Sequence, residues 1–542
     1  FKGPLFNRNL GPFNGFRGYE CERLEDGHLA FRISNVWPDN AIDFETDYVL
    51  KPNRWAHITM AYDGSSKANG LKIYINGQRA TGRVMSDGLR ESILWGKNHT
   101  NWGSGAPNFS IGQRHDYNYK GYAVDELKVF ARELTPLEGS PSSVQVHVEN
   151  LPEGASFDPD TLIAAAQEAA GSEDFGDLGH GTSWRDGLGL LADGLANQAR
   201  LSPLGVEIAC GDLQRALVNR LRIVAHRTAN PAVADGAITQ PIVIIGQPRT
   251  GTTILYDLLA QDPELRPPLT WEVDHPCPPP QPETYHDDPR IAETQATLEA
   301  SELIIPGFLK FHPMGALVGQ ECVRIFASEF TSMIFGVQYR LPDYYRWLLH
   351  DADHAGAYRF HRIFLQHLQS GVPGQWLLKS PAHLWQLDAL LAEYPDALIV
   401  QTHRDPLNVI SSITALTALL RRMASDDVDP AECAAQSYEE ITVGLDRSMS
   451  LRDKLSDDRV IDVLFSDFMR DPFATIAAVY RRLGRELSPE TEGRMRDFLA
   501  GHPGDGGGGR YTWADTGLDA GEVRERVGAY QQRYGVPTEE LR

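Results

Sequence analysis

The sequence contains few cysteines, no CxxC pair and no long apolar run. Its cysteines number five and lack metal-ligand spacing, so we expect neither a disulfide framework nor a metal site. No run of about 18 apolar residues is present, which argues against a membrane span. The first residues, FKGPLFNRNLG, lack the basic-then-apolar pattern of a signal peptide.

Positive charge is also scarce. The 542 residues include 51 lysines and arginines against 73 aspartates and glutamates, which gives a formal net charge of −22. Nucleic-acid binding needs a positive field over a wide surface, so a general nucleic-acid partner is not expected. An anionic ligand must then be held locally, by backbone amides and a few placed cations. The length suits two or three domains rather than one core.

Lysine usage divides the chain into two parts. Residues 1–138 hold seven of the ten lysines and are rich in Asn, Gly, Tyr and Trp, whereas the rest is rich in Ala, Leu, Arg and Pro. The segment LEGSPSSVQ (137–145) has the composition of a linker. We therefore predict a first domain over 1–138, a linker over 139–160 and a second domain over 161–542.

The first part is predicted to be all-β. RWAHITMAYDG (54–64) alternates apolar and polar residues, and GLKIYINGQRA (70–80) does so on both sides of Asn76-Gly77, a hairpin signal. These segments and YAVDELKVFARELT (122–135) resemble the laminin-G-like, concanavalin-type jelly roll. The resemblance implies a carbohydrate or protein ligand. The family's opening strand is not recognised, so either the natural chain starts further upstream or the jelly roll is incomplete.

The second part alternates apolar, β-branched bursts with helical patterns. The bursts are PIVIIG (241–246), QWLLKS (375–380), DALIVQTHR (396–404) and RVIDVLFSD (459–467). This order is typical of βαβ units, so we predict a P-loop-like α/β core over 239–500, a parallel sheet with flanking helices. Residues 161–238 are predicted to form a helical segment that precedes the sheet.

The most specific motif is PIVIIGQPRTGTTILYDLLA (241–260), which predicts a buried strand, a short loop and a helix. Gly246 and Gly251 allow a tight turn and a close approach of backbone N–H groups to an anion, aided by the helix start. The spacing matches the nucleotide-triphosphatase loop GxxxxGK[ST], except that Thr252 replaces the lysine. The missing lysine argues against ATP or GTP hydrolysis, and Arg249 supplies a cation inside the loop instead.

The loop PRTGTT resembles the 5′-phosphosulfate loop of sulfotransferases that use 3′-phosphoadenosine 5′-phosphosulfate (PAPS). The resemblance implies that five consecutive residues bind this co-substrate: Arg249, Thr250, Gly251, Thr252 and Thr253. Arg404 and Ser412 resemble the family's R-x(7)-S element, in which both residues hold the 3′-phosphate. Phe465 matches an aromatic residue that flanks the adenine, and a core phenylalanine is the alternative interpretation.

Sulfuryl transfer needs cations for the leaving group and a base for the acceptor hydroxyl. The predicted cations are Arg249 and Lys379, which ends a strand in WLLKSPAH. Glu272, in LTWEVDHP, is the predicted base, because glutamate-using members of the family place one at a comparable interval from the loop. The alternative bases are His383, His275, His312 and, more weakly, Glu321.

The last segment, 501–542, combines the glycine run HPGDGGGGRYTW with a predicted helix over 523–536. The family carries a mobile basic loop here that closes over the 3′-phosphate, which implies a lid role for Arg510; a disordered loop is the alternative. Aromatic residues between 300 and 350 indicate an apolar or aromatic acceptor unless they belong to the core. They are Phe308, Phe311, Phe326, Phe330, Phe335, Tyr344, Tyr345 and Trp347.

The prediction is a sulfotransferase that moves the sulfuryl group of PAPS to a hydroxyl of a small molecule or glycan. The resemblance covers residues 160–542 and is closest to a bacterial branch with PRTGTT and KSPxH motifs. We expect no metal requirement and a cytoplasmic location, since PAPS is made inside the cell. Two alternatives stay open: a nucleotide kinase or NTPase, which Thr252 disfavours, and a carbohydrate-binding surface protein that acts through the jelly roll.

Overall fold

The chain divides into two compact units, Phe1–Asn150 and Leu151–Arg542. A computed structural model describes residues 3–9, 16–50, 56, 58–62, 64–75, 78–91, 93, 156–176, 184–304, 314–502 and 512–541, with backbone only for 300–304 and for short strands between 110 and 118. The predicted linker, 139–160, contains the division and lies largely outside the described residues.

The first unit is built from antiparallel β-sheets. Its strands are β1 (Gly3–Arg8), β2 (Gly18–Arg23), β3 (His28–Val36), β4 (Asn40–Val49), β5 (Ile58–Tyr62), β6 (Leu71–Ile75), β7 (Gln78–Arg79), β8 (Gly82–Asp87), β9 (Ser110–Ile111), β10 (Gln113–Arg114) and β11 (Tyr117–Asn118). One sheet has the order β8-β4-β3-β2-β1-β9 and a second has β5-β6-β7. Phe31 and Ile33 of the first sheet pack with Ile73 of the second in one buried cluster. The all-β, jelly-roll prediction is confirmed.

Two details of this unit bear on the sequence predictions. Strand β1 pairs with β2 and with β9, although the sequence had indicated no strand near the start. Strands β6 and β7 pair with Ile75 opposite Gln78, the register of a two-residue connection. The predicted turn residues Asn76-Gly77 and the predicted closing strand 122–135 lie outside the described residues.

The second unit contains a five-stranded parallel sheet. Its strands are β12 (Ile242–Gly246), β13 (Leu265–Arg266), β14 (Gln375–Lys379), β15 (Leu398–His403) and β16 (Val460–Leu464), in the order β13-β14-β12-β15-β16. The four predicted bursts are four of these strands, so the α/β prediction is confirmed. Ile244 packs into one hydrophobic cluster and Val243 into another, which explains why the burst is apolar at every position.

Helices flank this sheet. They are α1 (Pro159–Ala170), α2 (Trp184–Asn197), α3 (Pro203–Ala229), α4 (Thr252–Leu259), α5 (Thr270–Asp274), α6 (Pro289–Ile304), α7 (Cys322–Phe326), α8 (Met333–Gln338), α9 (Pro342–His350), α10 (Ala355–Gln369), α11 (Leu387–Glu393), α12 (Pro406–Arg421), α13 (Pro430–Arg452), α14 (Phe465–Arg470), α15 (Pro472–Arg482), α16 (Pro489–Gly501) and α17 (Ala520–Tyr534). Side-chain caps define several starts: Asp158, Ser202 and Asp405 each accept a hydrogen bond from a backbone N–H of the first turn. Within the described ranges, no helix is long and apolar enough to cross a bilayer.

The register of the sheet brings the predicted motifs to one edge. Gly246 lies opposite Thr402, and Ile244 lies opposite Lys379. Because the strands are parallel, the phosphate loop, Lys379 and Arg404 all emerge at the carboxyl edge, where α/β proteins bind ligands.

Candidate active site

The loop between β12 and α4 forms a backbone cradle. Gly246 has φ 148°, and an added Cβ there would lie 2.2 Å from Thr402 Oγ1. Gly251 caps α4 with φ 86°, a left-handed conformation that favours glycine. Thr250 Oγ1 donates to Gln247 O at 2.7 Å and lies 2.6 Å from Thr402 Oγ1, so β15 fixes the loop. The first amides of α4 have no helical acceptors and are suited to an anion.

Arg249 joins this loop to the second predicted nucleotide element. Its Nε donates to Ser412 Oγ at 3.1 Å, and Arg404 Nη1 donates to its backbone carbonyl at 3.0 Å. Arg249 has φ 67°, which is costly for a residue other than glycine, so the surrounding contacts hold the loop in shape. The structure therefore brings together Arg249, Arg404 and Ser412, which are distant in sequence.

The Arg404 guanidinium contacts both a carboxylate and an aromatic ring. Glu539 accepts from its Nε and Nη2, each at 2.9 Å. The centroid of the Phe465 ring lies 4.2 Å from its Cζ, a cation–π contact. An added Cβ at Gly251 would lie 3.0 Å from the same ring. Phe465, which the sequence placed beside the adenine, thus packs between Arg404 and the phosphate loop.

Lys379 is the buried cation at the end of β14. Its side chain is 2% exposed and forms an ion pair with Glu321. Its Nζ also donates to Thr253 Oγ1 at 3.3 Å and lies 5.4 Å from the ring centroid of Tyr256. Lys379 therefore connects the first turn of α4 to a carboxylate from another part of the chain.

Two carboxylates belong to the surroundings of Lys379. Glu321 precedes α7 at its N-cap position, and 16% of its side chain is exposed. Asp257 lies one turn after Thr253 on α4; burial raises its pKa to about 6, with Lys379 opposing the shift and Glu321 adding to it. From the sequence, Glu321 was the weakest candidate base, and Asp257 was not among the candidates. The four-residue spacing from Thr253 was the signal that could have identified Asp257.

Glu272, the predicted base, is enclosed by donors. Arg266 Nη2 donates to its Oε1 at 2.6 Å, and Leu269 N and the Tyr285 hydroxyl donate to its Oε2 at 2.9 and 3.1 Å. Burial raises the pKa of Glu272, while the Arg266 charge opposes that shift. The residue is 0% exposed, and no hydrogen bond in the described part of the chain joins it to Lys379. These contacts favour a structural role.

We expect Glu272→Gln to lower the free energy of unfolding by about 3–5 kcal/mol, because it leaves a buried Arg266 without its counter-ion. The isosteric amide can still accept from Leu269 N, so the fold is retained at low temperature. Thermal unfolding of the variant measures the loss, and exposed Glu283→Gln is the control for the charge change. A variant with normal stability but no turnover would identify Glu272 as the base instead.

The histidine alternatives occupy different environments. His383 is fully buried, with Nδ1 2.6 Å from the Tyr358 hydroxyl and its ring against Phe326. Burial, aided by His361, holds the pKa of His383 well below its usual value, so the ring is neutral and shielded from an acceptor. His275 is part-exposed, with Nε2 3.9 Å from a glutamate oxygen. His312 lies outside the described residues, as does the predicted lid residue Arg510.

The aromatic residues predicted to form an acceptor pocket mostly belong to the core. Five are buried: Phe326, Phe330, Phe335, Tyr344 and Tyr345. Trp347 is partly buried against the cluster that contains Phe330, Phe335, Tyr344 and Tyr345. Phe308 and Phe311 lie outside the described residues. These side chains therefore give no indication of the acceptor.

The site contains three cationic side chains, each of which contacts an oxygen of another side chain. Lys379 forms an ion pair with Glu321, Arg404 forms one with Glu539, and Arg249 donates to the Ser412 hydroxyl. These cations and the backbone N–H groups at the start of α4 are of the kinds that bind anionic groups. Between 156 and 541, the described residues contain no cluster of histidine, cysteine and acidic side chains able to hold a metal ion.

Comparison with known proteins identifies both units. Residues 241–489 match the Sulfotransferase family, and residues 5–138 match the Concanavalin A-like lectin/glucanases superfamily. The crystal structure of sulfotransferase STF1 from Mycobacterium tuberculosis H37Rv is 32% identical, with a TM-score of 0.60, over 68% of this chain and 98% of that one.

Two further relatives agree with this assignment. Sulfotransferase STF9 from Mycobacterium avium is 28% identical with a TM-score of 0.64, over 73% of this chain and all of that one. The ω-hydroxy-β-dihydromenaquinone-9 sulfotransferase Stf3 of Mycobacterium tuberculosis is 24% identical over 297 residues, 52% of this chain and 71% of its own length. These matches confirm the predicted family and enzyme class, and they do not favour a nucleotide kinase or a carbohydrate-binding surface protein. The chain therefore belongs to the sulfotransferase family, as a PAPS-dependent enzyme that also carries a concanavalin-type jelly roll.

Proposed function

We propose that this enzyme transfers the sulfuryl group of PAPS to the hydroxyl of a neutral small molecule or glycan, with Glu321 as the base. The observation that carries the proposal is the position of Lys379, buried between Thr253 of the loop helix and the Glu321 carboxylate. Lys379 thus contacts Thr253, on the proposed co-substrate side of the site, and Glu321, on the proposed acceptor side. Because PAPS is made inside the cell, we place the reaction in the cytoplasm.

The residues present fit this co-substrate. The loop with Gly246 and Gly251 leaves no room for side chains where backbone amides would meet the 5′-phosphosulfate. Arg404 and Ser412 would hold the 3′-phosphate, and Arg249, which contacts both, would lie between the two anionic groups. Phe465 is the proposed residue beside the adenine. Arg510, which lies outside the described residues, is the proposed lid residue.

In the proposed reaction, a bond forms between the acceptor oxygen and sulfur while the bond from sulfur to the 5′-phosphate oxygen breaks. The hydroxyl proton goes to Glu321, and the leaving oxygen keeps the electron pair. Lys379 and Arg249 stabilise the charge that develops on that oxygen. Asp257, whose pKa is raised by burial, adds negative potential near Lys379 and Glu321, and this like charge favours transfer of the hydroxyl proton to Glu321.

Exposure and contacts separate the two candidate bases. Glu321 is partly exposed and bound to a catalytic cation, whereas Glu272 is fully buried and already accepts three hydrogen bonds. A base must reach the acceptor hydroxyl, so solvent access favours Glu321. Glu272 stays the alternative because its interval from the loop matches that of glutamate-using family members.

The two carboxylates beside Lys379 also favour an uncharged acceptor. The negative charges of Glu321 and Asp257 offset that of Lys379, so they would repel an anionic acceptor. Stf3, a relative named for action on a hydroxylated dihydromenaquinone, is consistent with an apolar alcohol as acceptor.

The test is incubation with ³⁴S-labelled PAPS and a metabolite extract, followed by a mass search for added sulfate. Products that also form with the Lys379→Ala variant, treated identically, do not depend on the proposed active site. Labelled products in the wild-type reaction alone support the proposal, and their chemical class identifies the acceptor. Products that carry phosphate when ATP is supplied, with none from PAPS, would contradict it.

A further inference from the structure

The Arg404 guanidinium, which the proposed function assigns to the 3′-phosphate, already binds an anionic group of the same chain. Glu539 accepts from Nε at 2.9 and 3.2 Å and from Nη2 at 2.9 Å. This two-pronged geometry is the one by which arginine recognises a phosphate. We propose, on the basis of that proposed function, that Glu539 occupies the 3′-phosphate position and that its carboxylate is exchanged for the phosphate when the nucleotide binds.

The backbone on both sides of Glu539 is anchored. Val536 and Leu541 pack into the hydrophobic cluster formed by α12, α13 and α17. The Glu539 N–H donates to Asp405 Oδ2 at 2.8 Å, and Asn408 Nδ2 donates to the next carbonyl at 3.4 Å. The exchange therefore needs only a rotation of the Glu539 side chain, which is 30% exposed on a fixed backbone.

Electrostatics requires the exchange. A 3′-phosphate placed on the Nε and Nη2 edge of Arg404 would lie against the Glu539 carboxylate, and two like charges do not share one guanidinium edge. Without a ligand, the carboxylate neutralises a guanidinium whose side chain is only 17% exposed. Glu539 thus weakens the binding of nucleotides that carry a 3′-phosphate and speeds the release of the product 3′-phosphoadenosine 5′-phosphate (PAP).

The experiment compares Glu539→Gln with Glu540→Gln in the full chain. The control removes the same charge from the adjacent, exposed residue. Calorimetry should show that Glu539→Gln binds PAP about 5- to 10-fold more tightly, with AMP affinity unchanged because AMP lacks the 3′-phosphate. Glu540→Gln should leave both affinities at the wild-type value. In stopped-flow measurements, PAP should leave Glu539→Gln more slowly by a similar factor.

A second background separates this inference from the proposed function. In Arg404→Ala, the Glu539 carboxylate and the 3′-phosphate no longer compete for a guanidinium. Adding Glu539→Gln to this variant should therefore increase PAP affinity less than it does in the wild type. Unchanged or weaker PAP binding by Glu539→Gln would overturn the exchange, while a loss of PAP over AMP selectivity in Arg404→Ala would still support the 3′-phosphate site. If Arg404→Ala keeps its selectivity, the assignment of Arg404 fails, and the exchange fails with it.

Discussion

Glu321→Gln should lower kcat by about 10²–10⁴-fold, the usual contribution of a general base. The amide keeps the shape of the side chain but cannot accept the hydroxyl proton. PAP affinity should be retained or improved, because Lys379 loses the carboxylate that competes with the phosphate for its charge. Steady-state turnover, with an acceptor identified by its ³⁴S-labelled product, measures kcat. Calorimetry measures the affinity for PAP.

The chain offers a matched control for this variant. Glu393 also pairs with an arginine, and its side chain is 14% exposed against 16% for Glu321. Glu393→Gln removes a carboxylate of similar burial, paired with Arg362 instead of with Lys379, so its kcat should stay near the wild-type value. If Glu321→Gln turns over normally while a folded Glu272→Gln does not, the base is Glu272. The Glu321 carboxylate would then serve only to position Lys379.

The sheet could be predicted because its strands are marked by local sequence. Strand β12 is apolar at every position since both of its faces are covered, and its end is marked by Gly246. The loop after it needs glycine for geometric reasons that do not depend on distant residues. Strand β13 has only two residues at the edge of the sheet, which is too short to leave a pattern.

The surroundings of Lys379 could be predicted only in part. Lys379 was identified because a lysine follows three apolar residues at the end of a strand. Its partner Glu321 is 58 positions away and precedes a short helix, so no period or spacing connects the two. Glu272 was chosen by its interval from the loop, and interval does not reveal burial. Arg266 decides the environment of Glu272, and Tyr358 contributes to that of the alternative base His383, although no motif marks either residue.

Arg404→Ala should weaken PAP binding by about 2–5 kcal/mol, or roughly 30- to 4000-fold in Kd, while AMP binding changes little. The loss arises because the phosphate loses the bidentate donor that the Arg404 guanidinium supplies. Calorimetry with PAP and AMP gives the selectivity directly, and the rise in melting temperature with each nucleotide provides a second readout.

Arg533→Ala is the control, because Arg533 carries the same charge on α17 but donates to Met449 O and Asp453 instead of to the site. Its PAP and AMP affinities should shift together by a small amount, as expected for an exposed charge that is screened by solvent. The ratio of the two affinities is therefore the decisive quantity, since loss of stability or of overall positive potential changes both nucleotides alike. An unchanged ratio in Arg404→Ala would mean that the 3′-phosphate is bound elsewhere, and the pairing of Arg404 with Glu539 would then be a structural ion pair that fixes the segment after α17 to the start of α12.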